Sequence, residues 1–383
     1  MARFPKNDII SLIGEAPRYE LAASLGPDLR LAELLAPSGE SSLGDMPLAY
    51  GTAAGDPRLR RAIAELHGVH ADDVVITVGA MHAIFLVAFV LCDRGDEAVT
   101  TSLSFPPART ALDVVGADVR ALPVSFEQGY QPDAAALCGL LSPKTKLVSL
   151  TSPQNPSGVA IDRKTIEAVL STMESRCPEA YLLVDETYRE AVYGGDPVAA
   201  TMAAASPRII SVASLSKCHG APGLRIGWAI ARDPALREQL VLGKFNTVAS
   251  CSPVDEALAL AVFRQRDRIF AERRQHLSEG LARVEDWVRA HHDVVDWVRP
   301  TAGALCCVRL KPSVFDDPAV GVFYDALARE GVRVAKGTWF GGEARVFRLG
   351  FGLLPMSTLD QALEGLSAAV FRARTGAEVL SPA

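Results

Sequence analysis

Between residues 74 and 231, short runs rich in β-branched residues alternate with helix-compatible segments, and this alternation restricts the fold more than any other feature of the chain. The runs are VVITV (74–78), EAVTT (97–101), VRALPV (119–124), KLVSLTS (146–152), YLLVDE (181–186), RIISVAS (208–214) and IGWAIA (226–231). Each has the length of a strand, and the segments between them suit crossover helices. Runs this apolar belong to strands covered on both faces. The pattern therefore predicts an α/β fold with a mostly parallel seven-stranded sheet sandwiched by helices.

A chain of 383 residues is too long for one ordinary compact domain. After about residue 253 the pattern changes to a charged and apolar helical stretch, DEALALAVFRQRDRIFAERRQHLSEGLARVEDWVRAHH, which is expected to link two domains. The tail reads as strand (ALCCVRL), helix (VGVFYDALAREG), strand (VRVAKG), strand (ARVFRLGF) and helix (LDQALEGLSAAVFRAR), a smaller α+β unit. The expected division is an N-terminal arm over 1–45, with a helix signal near DLRLAELL, a large domain over 46–285 and a small C-terminal domain over 286–383.

A net charge of −6 without a basic run argues against nucleic-acid and anionic-membrane partners, which require concentrated positive charge. The most apolar run, AIFLVAFVLC at 83–92, is half a membrane span and is expected to be a buried helix. Seven scattered cysteines, with no CxxC or Cys/His metal spacing, read as reduced thiols in the cytoplasm, and no metal site is expected.

In an open α/β sheet, ligands bind at the carboxyl ends of the strands. Those positions hold Gly79, Ala80, Met81, Phe105, Asn155, Asp185, Tyr188, Ser214, Ser216 and Lys217. One ligand would account for them together: it carries a phosphate, a flat ring, a ring nitrogen that wants a negative partner and an aldehyde that traps an amine. The turn through Gly79 offers the backbone N–H groups of Ala80 and Met81 to an anion, or is a plain strand-to-helix turn. Ser214 and Arg225 could add donors to a phosphate. Asp185 could hold a pyridine nitrogen protonated, or cap a helix before ETYRE. Asn155 and Tyr188 could meet a ring hydroxyl, and Phe105 could stack on a ring or lie in the core.

The segment SLSKCHGAPGLRIG, from Ser214, resembles the lysine signature of class I/II aminotransferases of the pyridoxal-phosphate-dependent fold type I enzymes. YGTAAGDPRLRRAIA (50–64), SPQNPSGVAI (152–161), VDETYREAVY (184–193) and RVFRLGFG (345–352) resemble that family in the same order and spacing, over about residues 10–370. The resemblance implies pyridoxal 5′-phosphate as cofactor, with Lys217 as the amine that bonds its aldehyde. Asp185 would pair with the ring nitrogen, and Asn155 and Tyr188 would meet the phenolic oxygen. Ser214, Ser216, Arg225 and the amides of Ala80 and Met81 would take the phosphate. Tyr50 would reach the phosphate in the other subunit of a homodimer whose active sites lie at the interface. Arg348 would grip the substrate α-carboxylate, a task suited to a planar fork, with Asn155 and Gly14 beside it. The freed lysine would then move a proton between substrate and cofactor.

The chain departs from the family pattern at several positions. Met81 and His82 stand where a hydroxyl residue followed by Glu or Gln is common, and His82 and His219 are read as helix residues rather than catalytic ones. In KFNTVASCSPVDEALAL, Asp255 and Glu256 replace a common glutamine, with only Lys244 as a cation and no arginine for a distal carboxylate. Glu15 or Tyr19 would line the substrate mouth, or belong to a polar entry arm. The expected activity is amino transfer from an L-amino acid to a 2-oxo acid, with neutral or cationic side chains preferred. The alternatives are a specialised cyclase or oxygen-using oxidase of an amino acid such as arginine, resembling capreomycidine synthase or the arginine oxidases, and a non-enzymatic regulator. The regulator would carry an added DNA-binding region, for which this chain has neither spare length nor basic charge.

Overall fold

The structure is a computed structural model, and it describes residues 8–12, 16–35, 43 and 46–376. Strand β1 (Tyr19–Glu20) and helices α1 (Leu31–Leu35) and α2 (Pro57–His67) precede the large sheet. Its strands and helices follow as β2 (Val74–Thr77), α3 (Gly79–Leu91), β3 (Glu97–Thr101), α4 (Pro106–Val115), β4 (Asp118–Leu122), α5 (Ala134–Gly139), β5 (Thr145–Thr151), α6 (Arg163–Arg176), β6 (Tyr181–Asp185), β7 (Ile209–Ser214) and β8 (Gly227–Ala231). The seven strands stand in the order β2-β8-β7-β6-β5-β3-β4. All neighbours are parallel except β8, which runs antiparallel to both β2 and β7. Each of the seven apolar runs therefore becomes a strand of one sheet. β4 stops at Leu122, because Pro123 has no N–H for the ladder.

Local chemistry sets the helix ends. Asp56 caps α2 by accepting the Arg58 N–H at 2.7 Å with Pro57 in the first turn, and Gly68 closes the helix in the left-handed region. The apolar stretch expected to be a buried helix is α3, whose Ala83, Ile84, Leu86, Val87 and Ala88 are buried while Phe89 is 61% exposed. Trp228 of β8 is fully buried between the edges of His67 and His219. Burial of an aromatic of this size is worth about 1.5–3 kcal/mol.

Helix α7 (Pro234–Val248) packs on α3 and leads into α8 (Pro253–Arg264) and α9 (Arg266–Ala290), so the long helical stretch is two helices that part at Gln265. Helix α9 gives Ile269 to the core under α2 and β8, and gives Leu277, Leu281, Val284 and Val288 to a separate C-terminal core. The C-terminal unit contains β9 (Val295–Val298), β10 (Leu305–Leu310), α10 (Asp317–Arg329), β11 (Val332–Arg333), β12 (Ala335–Lys336), β13 (Val346–Gly350) and α11 (Met356–Thr375). Strands β12-β13-β10-β9 form an antiparallel sheet. Strand β9 was not expected. It lies at the sheet edge and spans only four residues, Val-Asp-Trp-Val, so its apolar residues are few and interrupted by Asp296.

The N-terminal segment is laid over this sheet. Strand β1 pairs with β11, and the Gly350 N–H donates to the Leu21 carbonyl at 2.7 Å. Further on, the Leu29 N–H donates to the Gly220 carbonyl at 2.9 Å, which brings residues 22–29 against the turn after β7.

One close approach holds the sheet to α3. A Cβ on Gly227 would lie 2.4 Å from the Gly79 carbonyl carbon and 2.5 Å from the Ala80 nitrogen. Gly227→Ala should lower stability by about 1–3 kcal/mol through overpacking against backbone. Gly223→Ala, where a Cβ meets nothing within 4 Å, should change little. Thermal unfolding of the two variants beside the parent checks the difference.

Candidate active site

Ladder register brings the ends of non-adjacent segments together. Thr151 pairs with Asp185, Asp185 with Val212, Ser214 with Gly227, and Gly227 with Thr77. The carboxyl ends of β2, β5, β6 and β7 thus share one edge, where ligands of such sheets bind.

At the β2 end the chain turns through Gly79, whose φ is +75°, into α3. No side chain caps this helix, so the first-turn N–H groups at Ala80 and Met81 are offered outward. The Arg225 guanidinium lies across the turn, with Nη2 2.4 Å from where a Cβ on Gly79 would stand. Arg225 is itself held in the left-handed region at φ +50°, and its Nη1 donates to the Pro222 carbonyl at 2.9 Å. Ser214 is buried beside this corner and its Oγ accepts the Ser216 N–H at 3.3 Å. A corner without side chains, with a guanidinium and a helix start facing it, fits a phosphate ester.

His82 occupies the second turn of α3. Its Nδ1 accepts the Val78 N–H at 3.2 Å, and its Nε2 lies 3.1 Å from Thr247 Oγ1 on α7. It ties two helices together, as a helix residue should. His219 lies in a turn rather than a helix. It is fully buried among Trp228, Phe263 and Phe270, and neither ring nitrogen has a hydrogen-bond partner. Burial pulls its pKa down to about 4, so it is a neutral member of an aromatic cluster.

Lys217 lies three residues beyond β7. Its Nζ donates to Ser24 Oγ at 3.1 Å, and the same oxygen lies 3.1 Å from the Tyr188 hydroxyl. Burial and then the positive charge of Arg348 pull the lysine down to about 8, against the opposing pull of Asp185 and Asp28. Burial also pushes Tyr188 up to about 12. Asp185 ends β6, with its Oδ1 accepting the Thr187 N–H at 3.0 Å and the Thr187 hydroxyl at 2.5 Å. Burial raises the Asp185 carboxyl, against the lowering effect of Thr187 and of Lys217's charge.

Arg348, in the middle of β13, is 1% exposed. Its Nη1 donates to Asn155 Oδ1 at 2.7 Å and its Nη2 to the Ala22 carbonyl, while Nε has no partner. Among the described residues no carboxylate pairs with it. Beside it opens a cavity of about 360 Å³ lined by Leu103, Phe126, Tyr130, Cys307 and Phe340, with Glu343 as the only other charged lining residue.

The site residues expected from the sequence thus gather at one edge, with exceptions. Tyr50 is 89% exposed and turned out from its own chain, and Gly14 and Glu15 lie outside the described residues. Phe105 sits at the start of α4 and is half-buried. Tyr19 is buried in the C-terminal core, with its hydroxyl 3.1 Å from Gln361, rather than at a substrate mouth. Of the acidic pair expected to favour neutral or cationic substrates, Glu256 is 2% exposed and faces the interior, as does Lys244 at 0%, while Asp255 is half-buried. Ser24 and Thr187 were missed. Thr187 could have been suspected two residues after Asp185, but Ser24 meets Lys217 across 193 positions of sequence without a local signal.

The sequence profile of aminotransferase class I and II matches residues 31–366. Capreomycidine synthase from Streptomyces vinaceus is 29% identical, over 86% of this chain and 82% of that protein. Valine–pyruvate aminotransferase from Mycobacterium tuberculosis is 30% identical, over 76% of each chain. Arginine–pyruvate transaminase from Pseudomonas aeruginosa is 29% identical, over 77% of this chain and 75% of that protein. Among solved structures, a PLP-dependent aminotransferase from Streptococcus suis superposes with a TM-score of 0.86 at 27% identity, covering 95% of this chain and 96% of that one. The PLP-dependent cyclase OrfR superposes with a TM-score of 0.85 at 26% identity, covering 97% and 99%. With a phosphate-sized corner, a buried lysine and a carboxylate at one sheet edge, the chain belongs to the aminotransferase class I and II family and is a pyridoxal-phosphate-dependent transferase of fold type I.

Proposed function

We propose that the edge built from Lys217, Asp185 and Arg348 carries amino transfer from a neutral or cationic L-amino acid to a 2-oxo acid. The observation that carries this reading is a buried amine near pKa 8, between a carboxylate and an arginine without a counter-charge. The bound cofactor supplies an electron sink for charge developing at the substrate Cα. Asp185 holds the proton on the ring nitrogen, which keeps that sink effective. Arg348 binds the substrate α-carboxylate through the planar fork that Asn155 and Ala22 already orient. Lys217, steered by Ser24, would take the proton from the substrate Cα, since an amine with a pKa near 8 can accept and release one close to neutral pH. Arg225, Ser214, Ser216 and the N–H groups of Ala80 and Met81 take the phosphate. Tyr188 and Asn155 would hydrogen-bond the ring oxygen and Phe105 would cover the ring when the cofactor is bound.

The substrate side chain is assigned from the cavity beside Arg348. Its walls are mostly apolar with Ser102, Ser125 and Tyr130 among them, its one acid, Glu343, is already paired with Arg345 at 3.8 Å, and no second cation lines it to meet a distal carboxylate. The likeness to capreomycidine synthase and to the cyclase OrfR supports a second reading, in which the same proton abstraction leads to ring closure on the substrate.

A homodimer is supported by exposed apolar residues that no described segment of the chain covers. Leu48 (91% exposed), Tyr50, Phe89, Leu242, Phe245 and Val248 stand out along α3, α7 and the segment before α2. We assign that face to a second copy, which would receive Tyr50 at its phosphate. No described helix is long and apolar enough to cross a membrane, and the seven cysteines are free, which supports a reducing compartment such as the cytoplasm.

Borohydride reduction of the cofactor-loaded protein should leave the pyridoxyl group on Lys217, and recapture of cofactor by stripped protein should accelerate with pH and level off above about 8, where the amine is neutral. A label on another lysine, or a midpoint above 10, would contradict the assignment. Asp185→Ala, saturated with cofactor, should lose at least about a hundredfold in turnover while still holding the label on Lys217, and near-parental turnover would remove its role. Single-turnover rates with aspartate, glutamate, leucine, methionine, ornithine and arginine, with product analysis, should favour the neutral or cationic members. Aspartate or glutamate faster by about tenfold, or 1.4 kcal/mol, would overturn the side-chain reading, and a cyclised product would select the second one.

A further inference from the structure

Among the buried charged side chains outside the chemistry described above, two near each other leave a polar atom without a partner among the described residues. Lys244 lies on the inner face of α7 at 0% exposure, and its Nζ has no hydrogen-bond partner. Glu256 lies in the first turn of α8 at 2% exposure, and its Oε1 has none. No direct ion pair joins them, but each feels the other's charge, and the Cys251 thiol also lies beside Lys244. Burial lowers Lys244 and raises Glu256 to about 7, and each partner's charge opposes the other's shift. An uncompensated buried ion costs several kcal/mol, so removing one member leaves the other stranded.

The glutamate also meets a particular loop. Its Oε2 accepts the Asp56 N–H at 3.2 Å. A Cβ on Gly51 would lie 3.5 Å from Oε2, and one on Gly55 3.0 Å from Oε1, so residues 51–56 wrap the carboxylate closely. Within the loop the Thr52 hydroxyl donates to the Gly55 carbonyl at 2.7 Å, and the Ile76 N–H donates to the Ala54 carbonyl at 2.9 Å. The residue immediately before it is Tyr50, which projects from the chain at 89% exposure. The loop is fixed at its back and presents Tyr50 at its front.

We propose that Glu256, balanced by Lys244, is a positioning residue that fixes the 51–56 loop and through it sets Tyr50 for the cofactor phosphate of the other subunit. This rests on the homodimer and on the Tyr50 role proposed above. The pair therefore acts in trans, on a site in the neighbouring chain rather than in its own.

Cofactor titration of stripped dimers, followed by absorbance, tests it. Glu256→Gln keeps an oxygen for the Asp56 N–H but removes the charge opposite Lys244, and should weaken cofactor affinity by about tenfold. The double variant Lys244→Met/Glu256→Gln removes both charges and should recover affinity to within about threefold of the parent. Hybrid dimers with Lys217→Ala on one chain report the lysine-bound cofactor at a single site. Placing Glu256→Gln on the Lys217→Ala chain should weaken that reporting site, whereas placing it on the Lys217-containing chain should leave the site near parental affinity. Parental affinity in Glu256→Gln, no recovery in the double variant, or equal affinity in the two hybrids would each overturn the proposal. A parent protein that fails to bind the cofactor at Lys217 would instead overturn the functional reading beneath it.

Discussion

The site is organised around one buried guanidinium. Arg348 sits in β13 of the C-terminal sheet, reaches Asn155 after β5 of the large sheet, and holds the Ala22 carbonyl of the N-terminal segment. Three parts of the chain separated by 193 and 326 positions thus converge on a single cation. A buried cation without a carboxylate partner is costly, and the structure tolerates it because neutral oxygens satisfy both terminal nitrogens. In the proposed function the missing counter-charge is the one a substrate α-carboxylate brings.

The same charge reaches the lysine. Arg348 lowers the Lys217 pKa together with burial, and Asp185 limits the fall, so the amine titrates near 8 rather than above 10. Ser24 arrives on the segment that Arg348 anchors at Ala22, and bridges Lys217 to Tyr188. Substrate binding would neutralise Arg348 and raise the proton affinity of the lysine at the moment it must accept one. Binding and proton transfer are coupled by electrostatics at short range, without a change of fold.

Much of this was legible in the sequence because both faces of the large sheet are covered. Strands such as YLLVD and IISVAS are buried and mostly apolar, so their runs stand out, and the ligand-bearing residues lie at their ends. The edge strand β9, only four residues long and interrupted by Asp296, carries a weaker signal. Long-range contacts were invisible for a different reason. Ser24 has nothing in ELAASLGPD to distinguish it from any loop serine. The inward turn of Lys244 and Glu256 depends on how α7 and α8 rotate, which charge alone does not reveal because most Lys and Glu residues face water. His219 similarly reads as a polar residue beside the lysine, yet packing makes it part of an aromatic core.

The central claim is that Arg348 is an uncompensated cation completed by substrate. It is tested most directly by comparing single-turnover rates for an amino acid and for the amine that lacks its α-carboxylate, in the parent and in Arg348→Ala. The account predicts that the parent favours the amino acid on the order of a hundredfold or more, and that the variant loses most of this preference while reacting with the amine at a similar rate. An unchanged preference in Arg348→Ala, with both rates falling together, would contradict it.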